Sequence, residues 1–389
     1  MLKIKNSTNK FCICCNSRLN KKVINLPKFP VTEFYIRSDE KINHNYLVNQ
    51  AYFYCDFCMH MAIRNILDPN FIYSNYTTIS SQSRGAFICL KNFYKFFKKS
   101  RINLSKVSII DIGGNDSTFL EFFKVKNRVN IDPNAYSKDR KIKIYRTFFD
   151  KIDFSRFSSK NSNIFFSSHT LEHLEKPQDL IKNIANNMKD RDKLYLQFPS
   201  LERLIFMRRF DQLCHQHLNF FSILSINRLL NLNNLYINRY EYDDSHFGTL
   251  RLLATKINNN IKIVNPNLNS EVIKKSFKNF SSKCKTFNKN KFKNIKNSQG
   301  FGAGILTPVL AYFFPNIKKL KYIYDDNSKK FSTKFISMNP IIENPKFINR
   351  DKEVIITSTS TNFAPRDIIK RLLKLGCKKI IIPPTSSAH

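Results

Sequence analysis

His215 and His217 stand one residue apart in the stretch FDQLCHQHLNFFS. In an extended segment alternate side chains point to one side, and two imidazoles there suit proton abstraction near neutral pH. The pair by itself also reads as structural. A second stretch, VSIIDIGGNDSTFLEFFK from Val107 to Lys124, has a different chemistry. It opens as a β-branched run, reaches an acid at Asp111 and turns through Gly113, Gly114, Asn115 and Asp116. Helical spacing follows at Phe119, Leu120 and Phe123. Glycines let a backbone approach a ligand that a Cβ would exclude, and a helix N-terminus adds unpaired N–H groups. Asp132, at the end of the next apolar run, lies about 20 residues on, the distance of an acid that binds ribose hydroxyls. Together these predict a nucleoside cofactor.

A third group is Cys12, Cys15, Cys55 and Cys58, two C-x-x-C knuckles in the first sixty residues. Four thiolates can hold zinc in a tetrahedron and fix a small unit with little core of its own. No open position is left, so the zinc would be structural, with Cys14 a bystander or a register error. An accidental cluster is the other reading, because the gap between the knuckles is longer than in compact zinc ribbons.

The elements that must position these residues alternate. VSIIDI, NRVNID, KIKIY, NIFFSS and KLYLQFP are strand candidates separated by helical patterns. That predicts a mainly parallel, doubly wound sheet with ligands beyond the carboxyl ends of its strands. FFSSHTLEHL follows the fourth strand and brings Ser168 and His169 to that edge. Glu172 and His173 read as packing and capping of a short helix, or as ligands or catalysts. NFIYSNYTTISSQS reads equally as a polar linker or a substrate-contacting lid. Near the C-terminus Gly300, Gly302 and Gly304 open another strand, turn and helix, and Asp325 and Asp326 close the next strand. This turn either binds a phosphate or only closes a cleft. Asn362 ends the later strand candidate VIITSTSTNF.

Composition sets limits. The formal charge is +36, from 65 Lys and Arg against 29 Asp and Glu. The excess of Lys comes with abundant Asn, Ile and Phe and no Trp, over the whole chain, as an A+T-rich coding bias would give. It therefore counts little toward nucleic acid, although it favours an anionic substrate. No apolar run is long enough to cross a membrane, and MLKIKNSTNK lacks a signal-peptide core. The expectation is a cytoplasmic chain with reduced thiols.

Two resemblances sharpen this. D-x-G-G-N-D resembles the first motif of class I S-adenosylmethionine (SAM) methyltransferases, which implies that the Gly113-Gly114 turn faces the methionine part of SAM, with Asp111, Asn115 and Asp116 also on the cofactor, Asp132 on its ribose, and Ser168 and His169 at its border with substrate. F-D-x-x-x-H-x-H-L-x-F-F-S is similar to the F-D-x-x-Y-H-E-H-L-x-Y-F-S motif of the sugar C-methyltransferases, which act on nucleotide-linked keto-deoxysugars. The cysteine-rich segment, the central domain and the last glycine turn occur in that family's order. The resemblance implies an α/β chain with a zinc-binding domain over 1–75, a Rossmann-like methyltransferase domain over 76–255, and a C-terminal Rossmann-like substrate domain over 256–389.

By the same resemblance His217 is the general base, and His215 helps hold the substrate oxygen. Cys214 stands where the family has Tyr, and Gln216 where it has Glu. SHFGTLRLLA resembles the family's H-G-G-S-L-R stretch and gives His246 and Arg251 as substrate contacts, with Gly302 and Asn362 from the last domain. Arg251 reads as a diphosphate ligand or as a surface cation on a strand. The Lys of the family's glycine-rich A-K-G segment is missing after Gly304. The sugar, the methylated position, the stereochemistry and the oligomeric state stay open, and the other readings are a non-catalytic or O-methylating SAM-binding relative and an RNA methyltransferase.

Overall fold

The computed structural model describes residues 4–5, 10–73, 79–157, 162–246, 248–293, 295–358 and 364–384. Asn362 and part of the NFIYSNYTTISSQS segment lie outside them. The central sheet has seven strands. In chain order these are β1 (Val107–Ile112), β2 (Asn127–Ile131), β3 (Ile142–Tyr145), β4 (Ser162–Ser168), β5 (Lys193–Pro199), β6 (Tyr236–Asp243) and β7 (Thr249–Thr255). The five strands expected from the apolar runs are β1 to β5, and they pair in parallel. The order is β6-β7-β5-β4-β1-β2-β3, with β7 antiparallel to both neighbours. This is the class I methyltransferase fold. Its middle strands are apolar on both faces because both are covered.

The helix Arg84–Lys98 covers one face. Ser83 caps it by accepting from the Ala86 N–H, and Cys89, Phe93, Phe96 and Phe97 form its buried side at helical spacing. Phe93 stacks on Phe119 at 5.2 Å, and both join Phe123 and Phe166 in one aromatic cluster. Truncating Phe93 to Ala would cost about 3–5 kcal/mol.

One expected element is absent. After Gly114 the chain runs through turns and a single 3-10 turn at Leu120–Phe122, with no α-helix. Asn115 and Ser117 take positive φ, 45° and 63°, which stops helical winding, while Phe119, Leu120 and Phe123 reach the core from a compact loop. The helical spacing reported burial, and the glycine turn has no helix N-terminus behind it.

The N-terminal segment is woven into both other units. Lys21–Pro30, Leu47–Cys55 and His60–Ile63 form an antiparallel sheet whose last strand is Asn219–Phe220, two residues after His217. Tyr35–Arg37 crosses to the edge of the C-terminal sheet and pairs with Thr333–Phe335. That sheet places the glycine-turn strand Gln299–Phe301 between Tyr322–Tyr324 and Val354–Ile356, all parallel. The helix Ser270–Lys291 packs Phe280 against Phe210 and Phe313, joining the units through one core. No helix of the described residues is long and apolar enough to cross a membrane.

Candidate active site

The end of β1 carries the first part of the site. Gly113 has φ +79°, and its N–H donates to the Ile131 carbonyl at 2.8 Å. A Cβ there would lie 2.0 Å from Thr170 Oγ1. At Gly114 a Cβ would lie 2.4 Å from Asn130 Oδ1 and 2.9 Å from Asp111 Oδ2, so both positions need glycine. Asp132, at the end of β2, accepts from the Asn115 N–H at 3.2 Å and the Asn134 N–H at 2.7 Å. Asp116 accepts from the Ser81 N–H at 2.9 Å. Asp111 is 2 % exposed, and its Oδ1 has no hydrogen-bond partner among the described residues. Burial, with the charge of Asp132 behind it, pushes the Asp111 carboxyl up to about 8.

These residues fit SAM. A buried acid with an unused oxygen suits an ammonium group, the two glycines leave room beside it, and Asp132 stands partly open at the next strand end.

The loop after β4 connects this turn to a cluster of histidines. Thr170 Oγ1 donates to the Ile112 carbonyl at 3.3 Å, which sets the loop against Gly113. His169 has φ +53°, and its N–H donates to the Gln197 carbonyl of β5 at 2.8 Å. Its Nδ1 lies 3.2 Å from Ser168 Oγ, and its Nε2 has no partner among the described residues. The His169 ring meets the His246 ring edge-on at 4.7 Å, and the His173 ring meets His217 at 5.0 Å.

His173 Nδ1 lies 3.0 Å from the Gln216 carbonyl, which can only accept, so the Nδ1 carries the proton and the Nε2 a lone pair. His217 bonds the backbone of Gln212, while its Nδ1 is buried without a partner among the described residues. Glu172 completes the group: its carboxylate, His173 and His217 bring their donor atoms within 4.8 Å of one another. Glu172 is 1 % exposed, and neither oxygen has a hydrogen-bond partner among the described residues. It therefore caps nothing, and the packing role in its short helix falls to Leu171.

Burial sets the charges of the cluster. It pushes His173 and His246 down to about 4, and His169 and His217 well below the usual imidazole range. All four rings are neutral at pH 7. Burial pushes the Glu172 carboxyl the other way, to about 8.

His215 and His217 do not face one side. Strand pairing begins only at Asn219, and the bent backbone before it turns His215 into the core. There it lies 3.1 Å from Gln50 Nε2 and 3.3 Å from the Phe29 carbonyl, with its ring 5.6 Å from that of Phe29. Gln216 Oε1 accepts from Thr32 Oγ1 at 3.0 Å, and the Cys214 carbonyl accepts from the Tyr52 hydroxyl at 3.1 Å. Burial pushes the Cys214 thiol up to about 12. These three residues are placed against the N-terminal unit.

Arg251 is neither a surface cation nor open to a diphosphate. It is 3 % exposed, donates from Nε to Gln197 Oε1 at 2.6 Å, and pairs with Asp243 and Glu241. Alternation along β7 turns it inward, where acids on β6 meet it. The Gly302 turn repeats the geometry of the first: φ is +95°, and the Ala303 N–H donates to Asp325 Oδ2 at 2.6 Å. Arg209, unremarked in the sequence reading, is wholly buried beside His246 and forks onto Asp211 at 2.8 and 2.9 Å. Only the burial of a charged pair two residues apart marks it, and no sequence pattern carries that.

The four knuckle cysteines converge, with Cys12 and Cys58 sulfurs 3.5 Å apart and Cys15 and Cys55 sulfurs also 3.5 Å apart. Zinc–sulfur bonds of 2.3 Å put tetrahedral sulfurs about 3.8 Å apart, so the set fits zinc. His60 Nδ1 lies 3.5 Å from Cys12 Sγ. It begins the strand that pairs with Asn219–Phe220, so the cysteine site and the strand that follows His217 share one sheet.

Comparison with known proteins bears on the central unit. Residues 84–239 match the family model described as a methyltransferase domain, and the chain carries such a domain. The C-methyltransferase NovU of Streptomyces niveus is 18% identical over 209 residues, covering 51% of this chain and 50% of that protein. The chain thus spans about half the length of the curated relative it matches. Among solved structures, a 1,6-didemethyltoxoflavin-N1-methyltransferase of Burkholderia thailandensis has a TM-score of 0.37 at 10% identity, covering 53% of this chain and 95% of that one. The magnesium protoporphyrin IX methyltransferase of Synechocystis gives 0.34 at 13% identity, covering 44% of this chain and 84% of that one.

Proposed function

We propose that this chain is a SAM-dependent C-methyltransferase of a nucleotide-linked keto-(deoxy)sugar, serving surface polysaccharide or secondary-metabolite sugar biosynthesis. The observation that carries the reading is the buried Nδ1 of His217, without a partner among the described residues, in a ring 5.0 Å from that of His173, which lies on the loop that touches the Gly113 turn. The C-methyltransferase similarity and the F-D-x-x-x-H-x-H-L motif support it. SAM, held by Asp111, Gly113, Gly114, Asn115 and Asp132, would supply an electrophilic methyl group.

His217 is the general base. Its bond to the Gln212 backbone fixes the ring and leaves the Nδ1 lone pair to take a proton from the carbon beside the ketone. Because burial keeps it neutral, the lone pair is available throughout the physiological range. His169 and His246, whose rings meet at 4.7 Å, both lie near that base. The Gly302 turn faces the nucleotide part, and zinc on Cys12, Cys15, Cys55 and Cys58 holds the sheet that carries Asn219.

His217→Ala is expected to keep SAM affinity and to lose about 10²–10⁴-fold in methyl transfer, the range of one general base. Near-native turnover in that variant would exclude His217 as the base. Methyl gain on oxygen instead of carbon would exclude the enolate chemistry.

A further inference from the structure

Resting on the C-methyltransferase reading, we infer that Glu172 acts as a neutral carboxylic acid that donates a hydrogen bond to the substrate oxygen while His217 removes the proton. Three observations converge on it. First, the residues that the motif offers for this oxygen are engaged elsewhere: His215 is bonded into the core, and position 214 is a cysteine with a buried thiol. Second, Glu172 is on the reacting side, with its carboxyl, the His173 nitrogen and the His217 nitrogen within 4.8 Å of one another. Third, both its oxygens are buried and without a hydrogen-bond partner among the described residues. A buried polar group in that state calls for a ligand. Among the described residues no arginine or lysine is paired with it, and His173, whose nitrogen lies 3.9 Å from Oε1, is neutral.

The chemistry requires such a donor. A histidine whose proton affinity is lowered by burial is a weak base, so it can deprotonate carbon only if the developing oxyanion is strongly stabilised. An ionised carboxylate beside that oxyanion would repel it. A protonated one donates an O–H in a water-poor site, where such a bond counts most. Burial, with no cationic partner among the described residues, holds the Glu172 proton in place at neutral pH.

The step balances within the chain and substrate. The Cα–H bond breaks, its proton goes to His217 Nδ1, and its electron pair forms the carbon–carbon double bond. The carbonyl π pair moves onto oxygen and accepts from the Glu172 O–H. Reversal with solvent deuterium on His217 returns a labelled ketone.

The test is deuterium exchange into nucleotide-linked keto sugars by the full-length protein with S-adenosylhomocysteine bound, compared among wild type, Glu172→Gln and Glu172→Ala. The amide of Glu172→Gln still donates, so exchange is expected within about tenfold of wild type. Glu172→Ala removes the donor and is expected to lose about 10²–10³-fold, as loss of one oxyanion donor does. Both should bind SAM as wild type does. Equal loss in the two variants would overturn the neutral-donor role and leave His217 as base. No exchange by wild type with any keto sugar would overturn the underlying reading and this role with it. A second readout needs no substrate: at pH 7 the infrared spectrum of wild type minus Glu172→Gln should contain the carbonyl band of a protonated acid. A carboxylate band in its place would refute the inference.

Discussion

Gly113→Ala is the substitution whose cost follows most directly from geometry. At φ +79° an L-residue is penalised by roughly 1–2 kcal/mol. The new Cβ would also lie 2.0 Å from Thr170 Oγ1, so that hydroxyl must leave the Ile112 and Ser168 carbonyls, each now 3.3 Å away. Losing that bonding adds about 0.5–1.5 kcal/mol. The total, roughly 1.5–3.5 kcal/mol, should lower Tm by roughly 2–4 °C in differential scanning fluorimetry for a chain of 389 residues. If the turn relaxes to relieve the strain, returning it to the binding geometry weakens SAM by roughly 10–100-fold in calorimetry. Thr170→Ala in the same chain removes Oγ1 and Cγ2 but leaves Cβ at 3.0 Å and the positive φ. It should recover the contact part only. Native SAM affinity in Gly113→Ala would refute the assignment of this turn to the cofactor. Complete recovery in the double variant would refute the backbone part of the cost.

The histidines should separate by phenotype. His215→Ala breaks buried bonds to Gln50 and Phe29 and should lower stability by about 1–3 kcal/mol, with activity kept in the cold; unchanged denaturant midpoints would contradict that. Removing zinc with a chelator, or changing Cys58→Ser, should free about one zinc per chain by mass spectrometry and abolish methyl transfer. Because the strand next to the cysteine site, His60–Ile63, pairs with Asn219–Phe220 and not with β1, SAM affinity should change less than about threefold; equal loss of both would place the metal's effect elsewhere. Asp111 has a pH signature. Its folded carboxyl titrates near 8 against an ordinary 3.8, so the folded state holds a proton that the unfolded chain releases in that window. Its contribution is most favourable at low pH and falls as pH rises from about 4 to about 8. Asp111→Asn should flatten that slope in melts without cofactor; an unchanged slope would mean that Asp111 is ionised in the folded protein.

What the sequence made legible was local. The β-branched and aromatic runs at 107, 127, 142, 162 and 193 became β1 to β5 because strands buried on both faces must be nearly continuous in apolar residues. The cysteine spacing foretold sulfurs that could meet, and both glycine turns stand where backbone approach demands them. Long-range pairing defeated the rest. Phe119, Leu120 and Phe123 have helical spacing, but it records contact with Phe93 and Phe166 from a loop. Alternation at His215 and His217 predicts a shared face only in a strand, and the strand starts later. Nothing near Arg251 reveals that Asp243 and Glu241 arrive from the adjacent strand, or that Tyr35–Arg37 would complete a sheet three hundred residues away. Glu172 reads as a helix residue until its neighbours are known.

The most direct test of the central claim incubates the wild-type protein with SAM and a panel of nucleotide-linked keto sugars and follows the product by mass spectrometry and NMR. The account predicts, for one sugar, the mass gain of a single methyl group with its signal on the carbon beside the ketone. Tight SAM binding with no methylated product from any keto sugar, or a methyl found on oxygen, would contradict it.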